Sequence, residues 1–178
     1  MSAFFLFIIK RMFKNHLTRQ IAEFLTGIGL QVICRELGEN TFLAGIFIEN
    51  GKIYVDESRL AFPGDLLHEA GHLAVMPENL RAHLSDEITL PAEFAIDAVE
   101  VAAIAWSYAA ALHLGLDPRV VFHEGGYKGN SESLLINFSL GVYIGVNTLE
   151  NAGMTATGEK ARQLGVQPYP QMLKWLRD

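Results

Sequence analysis

Cysteine is almost missing: Cys34 is the only one in 178 residues. No internal disulfide can brace the fold, and a chain of this length can bury enough apolar surface to do without one. That composition fits a reducing compartment, and a cytoplasmic location is expected. Charge is scarce as well. Only 19% of residues are charged, with 14 Lys and Arg against 20 Asp and Glu, for a net −6. A basic cluster able to neutralise phosphates is lacking, which argues against nucleic acid as a partner. The sequence also lacks internal repeats, low-complexity tracts and linkers rich in Pro, Gly or Ser. A single domain over residues 18–178 is therefore expected, preceded by an extension at 1–17.

No apolar run is long enough to cross a bilayer comfortably. Residues 3–9 are apolar, but Lys10, Arg11 and Lys14 follow the run, whereas a secretory signal places its charges first. The run reads as a hydrophobic extension that packs on the body or is partly disordered; a membrane-surface anchor is the alternative. Residues 101–116 form the second run. They include His113 and read as a buried core helix. Half of all residues are apolar, which is high for a free monomer and points to deeply buried helices or a homo-oligomer interface.

The pattern along the chain predicts an α+β domain. A helix over 18–26 has Thr18 as its N-cap and Gly27 or Gly29 as its stop. A short strand follows at 32–35. Two apolar runs, 41–48 and 52–55, flank Glu49-Asn50-Gly51, a strong hairpin signal. Asp65 is the expected N-cap of a helix that runs to about Met76, where Pro77 ends it. Residues 79–90 look irregular. Pro91 then opens a long helix to about Leu114. A glycine-rich loop at 123–130 leads into an apolar helix from Ser131 to about Glu150, and a short helix is expected over 168–177. The result is a small antiparallel sheet followed by a helix and a bundle of mostly apolar helices.

The chemistry resides in His68-Glu69-Ala70-Gly71-His72. On a helix, residues four apart lie one turn above one another, so His68 and His72 can direct two imidazole nitrogens at one ion. Glu69 lies about 100° around the helix, where it can flank a metal-bound water and take its proton without ligating the metal. Gly71 would let another segment approach closely.

Zinc needs a third protein ligand and one open position. The long helix offers Glu93, Asp97 and Glu100, all on one face and set among apolar residues, where acids are costly unless paired or metal-bound. Glu100 is the first choice as ligand, with Asp97 accepting from a histidine N–H. The competing assignment makes Glu93 the ligand and keeps Asp97 as the histidine's partner. His123 and Tyr127, on the glycine-rich loop, are candidates to stabilise a developing oxyanion. The bland reading of that loop is a plain connection. His16, His83 and His113 read as structural or surface residues, and Trp106 and Tyr108 as core.

With these residues in place, the chain resembles the zincin metallopeptidases of the Glu-ligand group. Residues 51–55 (Gly-Lys-Ile-Tyr-Val) followed by 66–73 (Leu-Leu-His-Glu-Ala-Gly-His-Leu) are similar to the ImmA/IrrE-like group, and the resemblance covers about 18–114. It implies a zincin-like fold with a small sheet ahead of the HExxH helix. It also implies His68 and His72 as zinc ligands, Glu69 as general base and a glutamate on the next long helix as third ligand. The implied substrate is a peptide or protein. Two other expectations stand beside this one: a non-catalytic zinc-binding regulatory module of the same fold, and a membrane-associated helical protein.

Overall fold

The computed structural model describes residues 12–39, 41, 43–86 and 95–178. The apolar run at 3–9, Pro91 and Glu93 lie outside them. Helix α1, His16–Gly27, begins two residues before the helix predicted at 18–26. Asn15, not Thr18, caps it, with its side chain accepting from the N–H groups of Leu17 and Thr18. Thr18, Ile21, Ala22 and Leu25 form its buried stripe. Phe13 is also buried in the core, so the fold takes in residues ahead of the expected boundary at 18.

Three strands follow: β1 (Gln31–Cys34), β2 (Ile46–Glu49) and β3 (Lys52–Val55). The predicted hairpin forms, and Asn50 and Gly51 take positive φ of 50° and 69°. The primed two-residue turn requires this pair of left-handed positions, and Asn-Gly supplies it at little steric cost. Ile46 and Ile48 on β2, with Ile53 and Val55 on β3, face the core. The sheet is mixed, which corrects the antiparallel expectation. β1 pairs in parallel with the far side of β3, Val32 opposite Ile53, giving the order β1-β3-β2. Alternation in a strand tells which face is buried but carries no information about the neighbour's direction.

Helix α2 (Asp65–Ala74) carries the HExxH segment, and α3 (Glu78–Arg81) is a single turn just after Pro77. Asp65 is the first helical residue, not the N-cap; that position belongs to Gly64, whose lack of a side chain leaves no cap hydrogen bond. Helix α4 (Ile96–His113) ends at Leu114 and Gly115. The helix expected from Ser131 to Glu150 is two helices, α5 (Ser131–Ser139) and α6 (Val146–Asn151). The break falls at Gly141 and Gly145, which both adopt positive φ. Helix α7 (Gly158–Leu164) was not expected. Residues 168–177, expected to be helical, instead run as bends, with Met172 bridged to Thr155. This last segment is held by α4: Trp106 donates its indole N–H to the carbonyl of Trp175, and the Tyr169 hydroxyl donates to that of Ala105. The segment's own N–H groups pair with distant backbone where a helix would have paired them locally: Tyr169, Leu173 and Arg177 donate to the carbonyls of Ala156, Met154 and Ala74.

Among the described residues there are seven α-helices and none is long and apolar enough to cross a membrane. Trp106 is fully buried, as expected, and Tyr108 stacks on Phe138 with ring centroids 4.4 Å apart. His113 packs between the rings of Phe24 and Trp175, while His16 and His83 are exposed.

The central packing is α2 against α4. At their crossing, Gly71 faces Ala103. A Cβ added at Gly71 would lie 3.0 Å from the Ala103 carbonyl oxygen and 3.2 Å from its Cα. The two backbones meet closely with only the Ala103 methyl beside the contact, as the glycine within HExxH suggested. Gly71→Val is expected to destabilise the metal-free protein by about 1–3 kcal/mol, the usual cost of overpacking. Urea denaturation reads this directly, and an unchanged midpoint would show that the helices do not meet at this point.

Candidate metal centre

The close crossing brings three ligand-type side chains to one point. His68 and His72 lie one turn apart on α2, their rings nearly perpendicular at 82° and their Nε2 atoms 3.2 Å apart. From α4, Glu100 places Oε1 3.5 Å from His68 Nε2 and Oε2 3.3 Å from His72 Nε2. Four ligands about 2.0–2.1 Å from a zinc ion at tetrahedral angles would stand about 3.3 Å from one another. The three observed separations bracket that value, so the triad fits a metal ion in both donor type and spacing. It is the one group of three or more His, Cys, Asp or Glu among the described residues able to hold a metal ion.

Electrostatics follow from burial. His68 is pushed down to about 4, first by desolvation and then by His72 alongside, so its ring is neutral near pH 7. Burial alone would also lower His72, but the hydrogen bond to Glu100 and the nearby carboxylates raise it on balance. Glu100 is held down chiefly by that same hydrogen bond. Without a metal, the pair therefore favours a protonated His72 against an ionised Glu100. Glu69 is outside the ligand group, and burial pushes its carboxyl up to about 7.

Two cavities meet at these residues, sharing Glu69, His72, Ile96 and Glu100. One, about 360 Å³, runs past Ile48 and the 84–86 segment. The other, about 680 Å³, runs past Ile104, Tyr127, Lys128 and Leu134. Strand β2 forms a rim of the first, and its outward edge is already engaged at Ile48. The Ile48 N–H donates to the Asp86 carboxylate at 3.1 Å, and the Asp86 N–H donates to the Ile48 carbonyl at 3.1 Å.

The loop candidates divide. Tyr127 reaches the centre: its hydroxyl lies 3.2 Å from His68 Nδ1, and its ring packs edge-on against the imidazole. His123 does not line either cavity at the triad. Its Nε2 is 2.7 Å from an Asp65 carboxylate oxygen, its ring stacks flat on Phe62 with centroids 3.8 Å apart, and its buried Nδ1 has no protein partner. Asp65 and His68 are three residues apart on α2, so the loop grips one face of that helix at two points. Tyr127 and Lys128 both adopt φ of 53°. This left-handed conformation is unfavourable for side chains other than glycine and costs on the order of 1–3 kcal/mol each.

Asp97 is exposed in the first turn of α4, lines the larger cavity and makes no hydrogen bond to either histidine. Asp97 was expected to accept from one of the histidines; beside His68 that position is taken by Tyr127. Glu93 lies outside the described residues. Sequence reasoning also passed over Lys128, whose charge helps hold Glu100 down. Compared with protein-family models, curated proteins and solved structures, the chain matches none of them.

The buried Glu69 carboxyl makes stability depend on pH. The folded protein keeps this proton up to about 7, against 4.5 for an ordinary glutamate. Between those values the folded state binds more protons than the unfolded chain, so stability falls as pH rises, by up to roughly 3 kcal/mol. Metal-free Glu69→Gln should therefore exceed metal-free wild type in stability at pH 8, with the gap closing towards pH 4. Thermal melts across that range would show this; parallel curves for the two proteins would contradict it.

Proposed function

We propose that this protein is a zinc-dependent hydrolase that cleaves peptide or related amide bonds. The observation that carries the reading is the His68–His72–Glu100 triad at tetrahedral spacing, with the Glu69 carboxyl one residue along the same helix. The donor set of two imidazoles and one carboxylate leaves a coordination position free for reaction. The same donor types also hold non-haem iron. Zinc is preferred because paired histidines in an HExxH segment on a helix form a zinc-binding pattern. The resemblance of residues 51–55 and 66–73 to the Glu-ligand zincins points the same way.

A bound zinc ion would supply Lewis acidity, which makes water nucleophilic near neutral pH. Glu69 supplies the proton chemistry. Its carboxylate takes a proton from the attacking water as the new C–O bond forms, then returns it to the amide nitrogen as the C–N bond breaks. With a resting value near 7 in the metal-free protein, this carboxyl can both accept and release a proton at neutral pH. The two cavities that meet at Glu69 and His72 offer room for substrate on either side of the scissile bond. Lys128 on one wall suits an acidic group on the substrate.

A second reading, a metal-holding regulatory module without turnover, draws support from β2. An extended peptide pairs with a free strand edge, and here the edge at Ile48 is already bonded to Asp86.

The two readings separate in one set of measurements. Purified wild type is expected to carry one zinc per chain by elemental analysis, and His72→Ala to lose it. Glu69→Gln should keep the zinc while cleavage of a fluorogenic peptide library falls by about 10²–10⁴-fold. Zinc without cleavage of any library member in wild type would favour the regulatory module. Zinc retained in full by His72→Ala would reject both.

A further inference from the structure

We infer that the substrates of this protein are short peptides with an acidic residue beside the scissile bond, and that Lys128 is the residue that selects them. The inference rests on the hydrolase reading above and adds length and charge to it.

Length follows from β2, the outer strand in the order β1-β3-β2. Ile48 stands opposite Ile53 and two residues before the Asn50-Gly51 turn, at a position where N–H and carbonyl face away from the partner strand. An extended polypeptide docks on such an edge through main-chain hydrogen bonds. Here the chain itself has taken them. Besides the two Asp86 bonds at Ile48, the Asn50 N–H donates to the Ser85 hydroxyl at 2.9 Å and the Gly51 N–H to the Leu84 carbonyl at 2.8 Å. At the start of the strand the Ile46 N–H donates to the Leu43 carbonyl at 3.2 Å. Substrate is left to the two cavities that meet at Glu69 and His72, about 360 and 680 Å³. Pockets of about 300–1,000 Å³ enclose ligands of small-molecule size. These two hold the residues next to the scissile bond, and no strand pairing extends the grip beyond them.

Charge follows from the cavity walls. The smaller cavity is lined by Leu73, Met76, Leu84 and Val99 together with acids, and by no cation, so it suits an apolar side chain. The larger one carries Lys128, which among the described residues is the one Lys or Arg lining either cavity. No described carboxylate forms an ion pair with its ammonium. Asp97 lines the same cavity but is exposed to solvent, and Glu100 is turned to the histidines.

The backbone at Lys128 supports a role for its side chain. Glycine would take φ of 53° at little cost, and the loop has glycines at 125, 126 and 129, yet Tyr127 and Lys128 keep side chains at this unfavourable angle. The Tyr127 side chain meets His68, and that of Lys128 faces the cavity. The turn between them is held by Tyr127 at His68, by His123 at Asp65, and by the Ser131 hydroxyl, which donates to the His123 carbonyl at 2.6 Å. Lys128 is thus a cation presented from a fastened turn.

Cleavage of synthetic peptides by the zinc-loaded full chain, followed by amine release, tests both parts. One set has about three residues, with Glu, Gln or Lys next to an apolar residue in either order; the second embeds the same residues in about ten. The kcat/KM is expected to favour Glu over Lys by about 10–100-fold and not to rise from the short set to the long one. Lys128→Gln should abolish the preference and Lys128→Glu reverse it. High salt should shrink it in wild type, a measurement that serves alone if the variants do not fold. Equal rates for Glu and Lys peptides, a preference that survives in Lys128→Gln or in high salt, or a gain of about tenfold with length would overturn the inference and leave the hydrolase reading standing. No cleavage of either set, or cleavage that persists in Glu69→Gln, fails the hydrolase reading and the inference with it.

Discussion

The contact between Gly71 and Ala103 is the constraint on which the centre depends. Two helices that cross with ordinary side chains between them stand 8–10 Å apart, and a short acid on one would not bridge to a histidine pair on the other. Gly71 removes one side chain at the crossing, and Ala103 presents only a methyl group and its own backbone. The surrounding positions follow the same rule: Ala70 and Ala74 on α2, and Ala102, Ala105 and Ala109 on α4, are all buried. Larger buried residues, Leu66, Leu67 and Trp106, complete the surrounding core. Glu100 is three residues before Ala103, close to one turn, and so emerges where His68 and His72 emerge from α2.

Bringing those groups together sets burial against ionisation. His68, His72 and Glu69 are largely withdrawn from water in otherwise apolar surroundings, while the Glu100 side chain remains 42% exposed. The cost is met in different ways. His68 stays neutral, His72 and Glu100 compensate each other, and Glu69 holds its proton far above the usual carboxylate range. Side chains with such opposed shifts, clustered in a cleft, are the pattern expected when stability is given up for chemistry. A cation at the triad would relieve part of that cost by replacing a shared proton with a stronger positive charge.

The glycine-rich loop and the strand edge then decide access. His123 and Tyr127 fasten the loop to α2 at Asp65 and His68, one turn apart, so the wall of the larger cavity is tied to the helix that carries the ligands. On the opposite side, Asp86 closes the Ile48 edge of β2. The site is thus framed by one tethered loop and one capped strand, with Glu69 between them.

Features set by short-range geometry were legible in the residues. The spacing of His68 and His72 fixes their shared face because a helix repeats every 3.6 residues, and Asn50-Gly51 specifies a tight hairpin because few residues accept two left-handed positions in succession. The three-and-four spacing of Glu93, Asp97 and Glu100 placed all of them on one face, and the apolar run around Glu100 made it the first choice as ligand. The depth at which α4 crosses α2 places Glu100 at the histidines and leaves Asp97 at the rim. The direction of β1, the break at Gly141 and Gly145, the non-helical 168–177 segment and the Tyr127–His68 contact were likewise decided by tertiary structure. Each depends on a partner distant in the chain, and periodicity describes how a segment folds, not what it meets.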